Sequence, residues 1–129
     1  TDFAFEVFGH PDLDASEYGF SFTPRSIPGA KHPRYQDQEC HGRDLRLMPL
    51  EQVWEEKIAL RHVIDAYRGL QMGEPFFGSN NHFELLAGQG YVREMILDGA
   101  DADSIAARWS ADVEAFKEMR KPYLLYPED

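Results

Sequence analysis

The sequence is short of nearly everything that would announce a mechanism. It holds one cysteine, Cys40, in 129 residues. An intrachain disulfide is therefore excluded, and a lone thiol fits cytoplasm, periplasm or exterior alike. No apolar run approaches the roughly 20 residues that a membrane-spanning helix requires, so a membrane span is excluded. The first residues, Thr1-Asp-Phe-Ala-Phe5, have neither the basic flank nor the apolar stretch of a signal peptide, which leaves the compartment unread. Positive charge is scarce: 13 basic against 23 acidic side chains leave a formal charge of −10. Such a surface repels phosphate backbones and anionic lipid, so nucleic acid is not an expected partner. Internal repeats and low-complexity segments are absent.

With 43% apolar and 28% charged residues the chain reads as soluble and globular, and its length suits one core. Phe3, Phe5 and Val7 alternate with smaller or polar residues until Gly9-His10-Pro11, which predicts a first strand. Tyr18, Phe20 and Phe22 predict a second, and Leu45 and Leu47, between Gly42 and Pro49, a third. From Thr23 to His41 there is no periodicity, and an unstructured stretch of that length in a compact domain is read as a binding loop. Pro49 then opens a helix in which Val53, Leu60, Ile64 and Tyr67 recur, widened by Trp54, Ile58 and Val63 and stopped by Gly69. A helical pair is expected from Phe83 to Gly99. Asp101 should cap a last helix whose core face is Ala102, Ile105, Trp109, Val113 and Phe116, ended by Pro122. The apolar tail Tyr123-Leu-Leu-Tyr126 should lie back on the core or on a neighbouring domain. Strands first and helices afterwards predict an α+β fold, a small antiparallel sheet of about three strands covered by three to four helices.

The chemistry-bearing residues are weighed against plainer roles. His32, Cys40 and His41 share the loop, but adjacent ligands chelate poorly and no C-x2-C or H-x3-H spacing occurs, so neither a metal site nor a cofactor is expected. Cys40 reads as a small buried residue where the third strand begins, and a Cys–His nucleophile pair lacks an identifiable third group. No pair of carboxylates stands out for glycosidase work, since most acids lie on solvated faces such as Glu51, Glu55 and Glu56. No catalytic residue is assigned. The charge pattern says more: residues 25 to 46 balance to +2 while the rest carries −12. Such a basic island is either a solvated loop or an anion site, in which guanidinium groups would grip a carboxylate. Tyr35, Phe76 and Phe77 could stack on a sugar ring, whereas Trp54 and Trp109 belong to apolar helix faces.

In series, Phe22-Thr-Pro24, Glu39-Cys-His-Gly42, Phe83-Glu-Leu-Leu-Ala-Gly88, Arg93, Ser104-Ile-Ala-Ala-Arg-Trp109, Phe116 and Arg120-Lys-Pro-Tyr-Leu-Leu-Tyr126 resemble the C-terminal part of the NamZ-type exo-β-N-acetylmuramidases. Even Thr1-Asp-Phe-Ala-Phe5 is similar to the junction into that domain. The resemblance implies that residues 1–129 form one C-terminal domain of a two-domain glycoside hydrolase, a Rossmann-like N-terminal domain carrying the catalytic glutamate. It implies release of terminal N-acetylmuramic acid from peptidoglycan fragments in a cleft between the domains, in the periplasm or outside the cell. The partners implied are a muramyl saccharide and the N-terminal domain. The loop from Pro24 to Gly42 resembles the cleft-facing segment; with the basic island of residues 25 to 46, this makes Arg25, Arg34, Tyr35 and Arg43 the substrate-binding candidates, while Arg46 is expected to point to solvent. The alternative is a non-catalytic module for peptidoglycan recognition or dimerisation.

Overall fold

In the computed structural model, residues 3–126 are described, so Thr1 and Asp2 of the junction motif lie outside them. The chain divides into two compact units, Thr1–Phe76 and Phe77–Asp129. The architecture is α+β, as the sequence predicts, with one three-stranded antiparallel sheet and six α-helices among the described residues.

The first unit holds the sheet: β1 (Val7–His10), β2 (Phe20–Phe22) and β3 (Cys40–Asp44), in the order β1-β3-β2. Its register sets Gly9 opposite Gly42, and Phe20 also pairs with Gly42. A Cβ on Gly42 would fall 1.8 Å from the Phe8 carbonyl oxygen, and one on Gly9 2.6 Å from that of His41. Gly9 therefore continues a strand here rather than breaking one, because only hydrogen fits where the two backbones approach.

The second predicted strand stands at Phe20 and Phe22 but without Tyr18, and the first and third are displaced. Phe3 and Phe5 lie in a turn, with Phe5 at φ 68° and the Glu6 N–H bonded to the Phe3 carbonyl at 3.2 Å. The ring of Phe3 packs on Phe20, centroids 6.3 Å apart, and under the Arg46 guanidinium. Tyr18 ends a short helix, α1 (Ala15–Tyr18), capped by the Asp14 carboxylate, which accepts from the Ser16 N–H. Leu45 and Leu47 follow β3, which ends because the Asp44 carboxylate accepts from the Arg46 backbone and guanidinium at 2.6–3.0 Å. Arg46 is thus paired locally rather than aimed freely at solvent.

The helix expected from Pro49 to Gly69 is two helices, α2 (Leu50–Glu56) and α3 (Arg61–Leu70). Lys57 takes φ 52°, and Arg61 spans the break by donating to Glu56 at 2.7 Å. Gln71, not Gly69, is the left-handed cap. Gly69 serves packing instead: a Cβ there would sit 3.0 Å from both Leu13 Cδ2 and Tyr18 Oη. Helix α3 meets the sheet through His62, whose ring lies 5.5 Å from that of Phe8, while Leu13, Tyr18, Cys40 and Ile64 are buried. Trp54, expected in the core, is exposed.

The second unit contains α4 (His82–Ala87), α5 (Tyr91–Leu97) and α6 (Ala102–Arg120). The first two form the expected pair, fastened by Arg93 donating to Glu84 at 2.8 Å and by the same guanidinium over the Phe77 ring. Gly88 at φ 73° ends α4 as glycine readily does. Phe77, Val92, Ile96 and Ile105 are buried. Asp101 caps α6 by accepting from the Ser104 N–H at 2.8 Å, as expected. The core face of α6 is shorter than its spacing suggests: Ile105 is buried and Trp109 half-buried, but every residue from Ala111 to Phe116 is exposed. Tyr123, Leu124, Leu125 and Tyr126 are exposed too, so the tail does not lie back on a core among the described residues.

Candidate functional site

The loop between β2 and β3 holds a single isolated bridge, Ile27 to Ala30, and is pinned at its base by the Asp37 N–H donating to the Pro24 carbonyl at 2.9 Å. Two of its residues stand in the left-handed region, Tyr35 at φ 55° and Asp37 at φ 61°. Side chains other than glycine persist there only when their surroundings hold them. For Tyr35 that hold is visible. Its hydroxyl lies 2.6 Å from His10 Nε2, and the two rings meet edge to face with centroids 4.6 Å apart.

His10 sets the direction of that hydrogen bond. Its Nδ1 accepts the backbone N–H of Asp12 at 3.1 Å. In the neutral imidazole the proton then sits on Nε2, which donates to the Tyr35 oxygen. The Tyr35 hydroxyl proton is left free to donate to something else.

What it faces is a cavity of about 450 Å3 between the β1 end of the sheet, the loop and α3. Its wall is apolar, with Val7, Phe8, Leu13, Phe22, Leu70, Met72 and Phe76, and its polar side chains are His10, Arg34 and Tyr35. That size and that mixture, an apolar lining with a few convergent polar groups, suit a small-molecule or single-sugar site. Among the described residues, no Asp or Glu lines it.

The four sequence candidates therefore part company. Arg34 and Tyr35 are brought together on this cavity, and Arg34 makes no ion pair among the described residues. Arg43 lines a different, polar cavity of about 460 Å3 with Asp14, Glu17, Asp65 and Arg68. There it pairs with Asp65 at 3.7 Å and lies over the Tyr18 ring. Arg25 is exposed and lines neither. His10 was not singled out from the sequence, where it read as part of a strand-breaking Gly-His-Pro; its signal was being the last residue of a paired strand. Of the loop aromatics, Phe76 lines the cavity and packs on Tyr67, whereas Phe77 is buried in the second unit. Cys40 also lines it, but burial leaves its side chain 1% exposed and pushes its thiol above the ordinary range, which suits packing and not nucleophilic attack. His41 is engaged with the Ser21 hydroxyl at 2.9 Å, and His32 is exposed.

Taken together, these features define a small α+β domain with an apolar cavity beside its sheet, edged by Arg34. Residues 1–126 match the family model "Exo-beta-N-acetylmuramidase NamZ, C-terminal", and the chain belongs to that family. It is 26% identical, over 95% of its length, to a peptidoglycan β-N-acetylmuramidase, NamZ, of Bacillus subtilis (strain 168), of which it covers 31%. It is 50% identical, with a TM-score of 0.88 over 97% of its length, to the crystal structure of a DUF1343 family protein from Bacteroides fragilis NCTC 9343, of which it covers 34%. The chain thus spans about a third of the length of either relative.

Proposed function

We propose that this chain is the substrate-holding C-terminal domain of an exo-β-N-acetylmuramidase, and that the cavity beside Tyr35 receives the terminal N-acetylmuramic acid of a peptidoglycan fragment. The observation that carries this reading is the placement of Arg34 and a Tyr35 hydroxyl with a free proton on one apolar cavity. N-acetylmuramic acid differs from N-acetylglucosamine by a lactyl ether that ends in a carboxyl group when no peptide is attached. A guanidinium and a hydroxyl donor are the partners such a carboxylate takes, and a charge-assisted bond is stronger than a neutral one. The apolar wall, with Phe76, offers a face for the sugar ring. Of the original candidates, this keeps Arg34 and Tyr35 and leaves Arg25 and Arg43 outside the contact. Since peptidoglycan is an extracytoplasmic polymer, the site of action on this reading is the periplasm or the exterior.

The test uses the full-length enzyme carrying Arg34→Met or Tyr35→Phe, with the free-acid substrate compared with a lactyl-amidated analogue. Arg34→Met should cost about 1.5 to 3 kcal/mol of binding for the acid and much less for the amide. Tyr35→Phe should weaken both by a smaller amount, because its hydroxyl can donate to either oxygen. Equal losses for acid and amide in Arg34→Met, or none in either variant, would place carboxylate recognition elsewhere.

A further inference from the structure

Tyr18 is 7% exposed, yet its hydroxyl has no hydrogen-bond partner among the described residues. A buried phenol ordinarily finds one, because a polar group left unpaired away from water is costly. This hydroxyl opens instead on the polar cavity of about 460 Å3 that also holds Arg43. Gly69 keeps the way clear, since a Cβ there would fall 3.0 Å from Tyr18 Oη. Two carboxylates face the same atom. Burial first, then the Asp65 carboxylate, with Glu17 behind it, raise the phenol above its ordinary range against the pull of Arg43. Neither acid is bonded to it. Asp65 meets Arg43 at 3.7 Å, an ion pair too long for a hydrogen bond, and the Glu17 side chain has no ion pair or hydrogen bond among the described residues. Asp14, in contrast, is committed to the Ser16 N–H and hydroxyl at 2.8 and 2.7 Å. The cavity therefore sets open acceptors beside a guanidinium whose N–H groups are also open. A bare anion would meet the carboxylates there, and a bare cation the arginines.

We propose that this cavity is a second binding site, which takes an α-amino-acid head with its ammonium and carboxylate on one carbon. The ammonium brings three donors, and Tyr18 Oη, Glu17 and Asp65 are three acceptors on one cavity. The carboxylate takes the fork of Arg43, which lies over the Tyr18 ring with its guanidinium carbon 5.3 Å from the centroid. The volume leaves room for a chain beyond the head. Two sources share this chemistry: a free diamino acid, and a peptide in which a diamino acid leaves one such head unlinked. The site does not depend on what the cavity beside Tyr35 binds; only the second source, a peptide carried by a muramyl sugar, rests on that reading.

Calorimetric titration of the full-length polypeptide compares diaminopimelate, which has the head at both ends, with pimelate, which keeps only the carboxylates, and cadaverine, which keeps only the amines. Diaminopimelate should bind one-to-one and saturably, and each analogue at least about tenfold more weakly, since each lacks one set of charge-assisted bonds. Arg43→Met should weaken diaminopimelate about tenfold, and Tyr18→Phe, which keeps the buried ring, about threefold. Glu17→Gln, at an exposed position, checks the ammonium end should Tyr18→Phe fail to fold. A muramyl peptide bearing diaminopimelate that competes for the site would identify the peptide as the source, and one that does not would identify the free diamino acid. Equal affinity for cadaverine or for pimelate would overturn the proposal, leaving a plain charged cleft. So would an absence of binding at millimolar diaminopimelate. Binding lost in Arg34→Met and kept in Arg43→Met would place the ligand in the other cavity and overturn it as well. The proposed function is decided separately, by Arg34→Met with the muramyl saccharide.

Discussion

His62 carries its ring into an apolar contact with Phe8, and neither ring nitrogen has a hydrogen-bond partner among the described residues. Burial, helped by the neighbouring Arg61 guanidinium, pushes its pKa below the ordinary histidine value. A histidine depressed in this way is neutral in the native state while the unfolded chain takes up a proton near pH 6.5. Its effect on stability follows from that difference: as pH falls from about 6.5 towards the lower native value, the unfolded state gains protons first and the native state loses stability. Replacing His62 by Phe, which keeps an aromatic ring against Phe8, should abolish that part of the pH dependence. Urea denaturation at pH 7.5 and pH 5 checks it: the parent should lose more stability between the two than His62→Phe does, and an equal loss in both would show that His62 does not titrate differently on folding. Nothing in the sequence marks His62, because its behaviour depends on a ring that arrives from β1, more than fifty residues earlier.

At the level of elements, what could be read locally and what could not separate cleanly. The Asp101 cap of α6 and the α4–α5 pair follow from residues a few positions apart, and both stand where the pattern puts them. The strands do so only in part, because pairing rather than alternation fixes where they begin and end. Phe3 and Phe5 alternate well, yet the ladder starts at Val7. The break between α2 and α3 was hidden for a related reason: a helix-period stripe continues across it although its outer part faces solvent and its inner part faces the sheet. Within the sheet the sharpest dependence is on the facing glycines. Gly42→Ala would drive its Cβ to 1.8 Å from the Phe8 carbonyl oxygen and 2.6 Å from Gly9 Cα, both backbone atoms, so β1 and β3 must separate. The expected cost exceeds the roughly 1 to 3 kcal/mol usual for overpacking, since a ladder is disrupted as well. An unchanged denaturation midpoint for Gly42→Ala would mean that the two strands do not approach as described.

At the scale of the whole molecule, the acids of the described residues and the candidate cavity are placed apart. Hydrolysis of a glycosidic bond by the usual route needs two carboxyl groups flanking it, one to protonate the leaving oxygen and one to attack or to activate water. The cavity that gathers Arg34, Tyr35, His10 and Phe76 has no Asp or Glu in its wall among the described residues. Several of the acids are held in ion pairs instead. Glu84 is held below the ordinary carboxylate range by Arg93, Asp44 by Arg46 and Glu56 by Arg61, so each is a structural anion paired with a guanidinium rather than an acid poised to give a proton. No catalytic pair stands out in the sequence for this reason, whereas the loop, defined by its charge balance and lack of periodicity, is legible without any fold. Which of its arginines reach the cavity depended on the β3 register and on Asp65 capturing Arg43, neither visible in one dimension. On the function proposed above, the 129-residue chain alone should bind a muramyl saccharide weakly and hydrolyse it far more slowly than the full-length enzyme. Its rate of N-acetylmuramic acid release should fall below that of the full-length enzyme by at least the roughly 10²- to 10⁴-fold that a positioned general acid contributes. Turnover within tenfold of the full-length enzyme by the purified chain would show that a carboxylate of this domain reaches the scissile bond, and the cavity would then have to be redrawn around it.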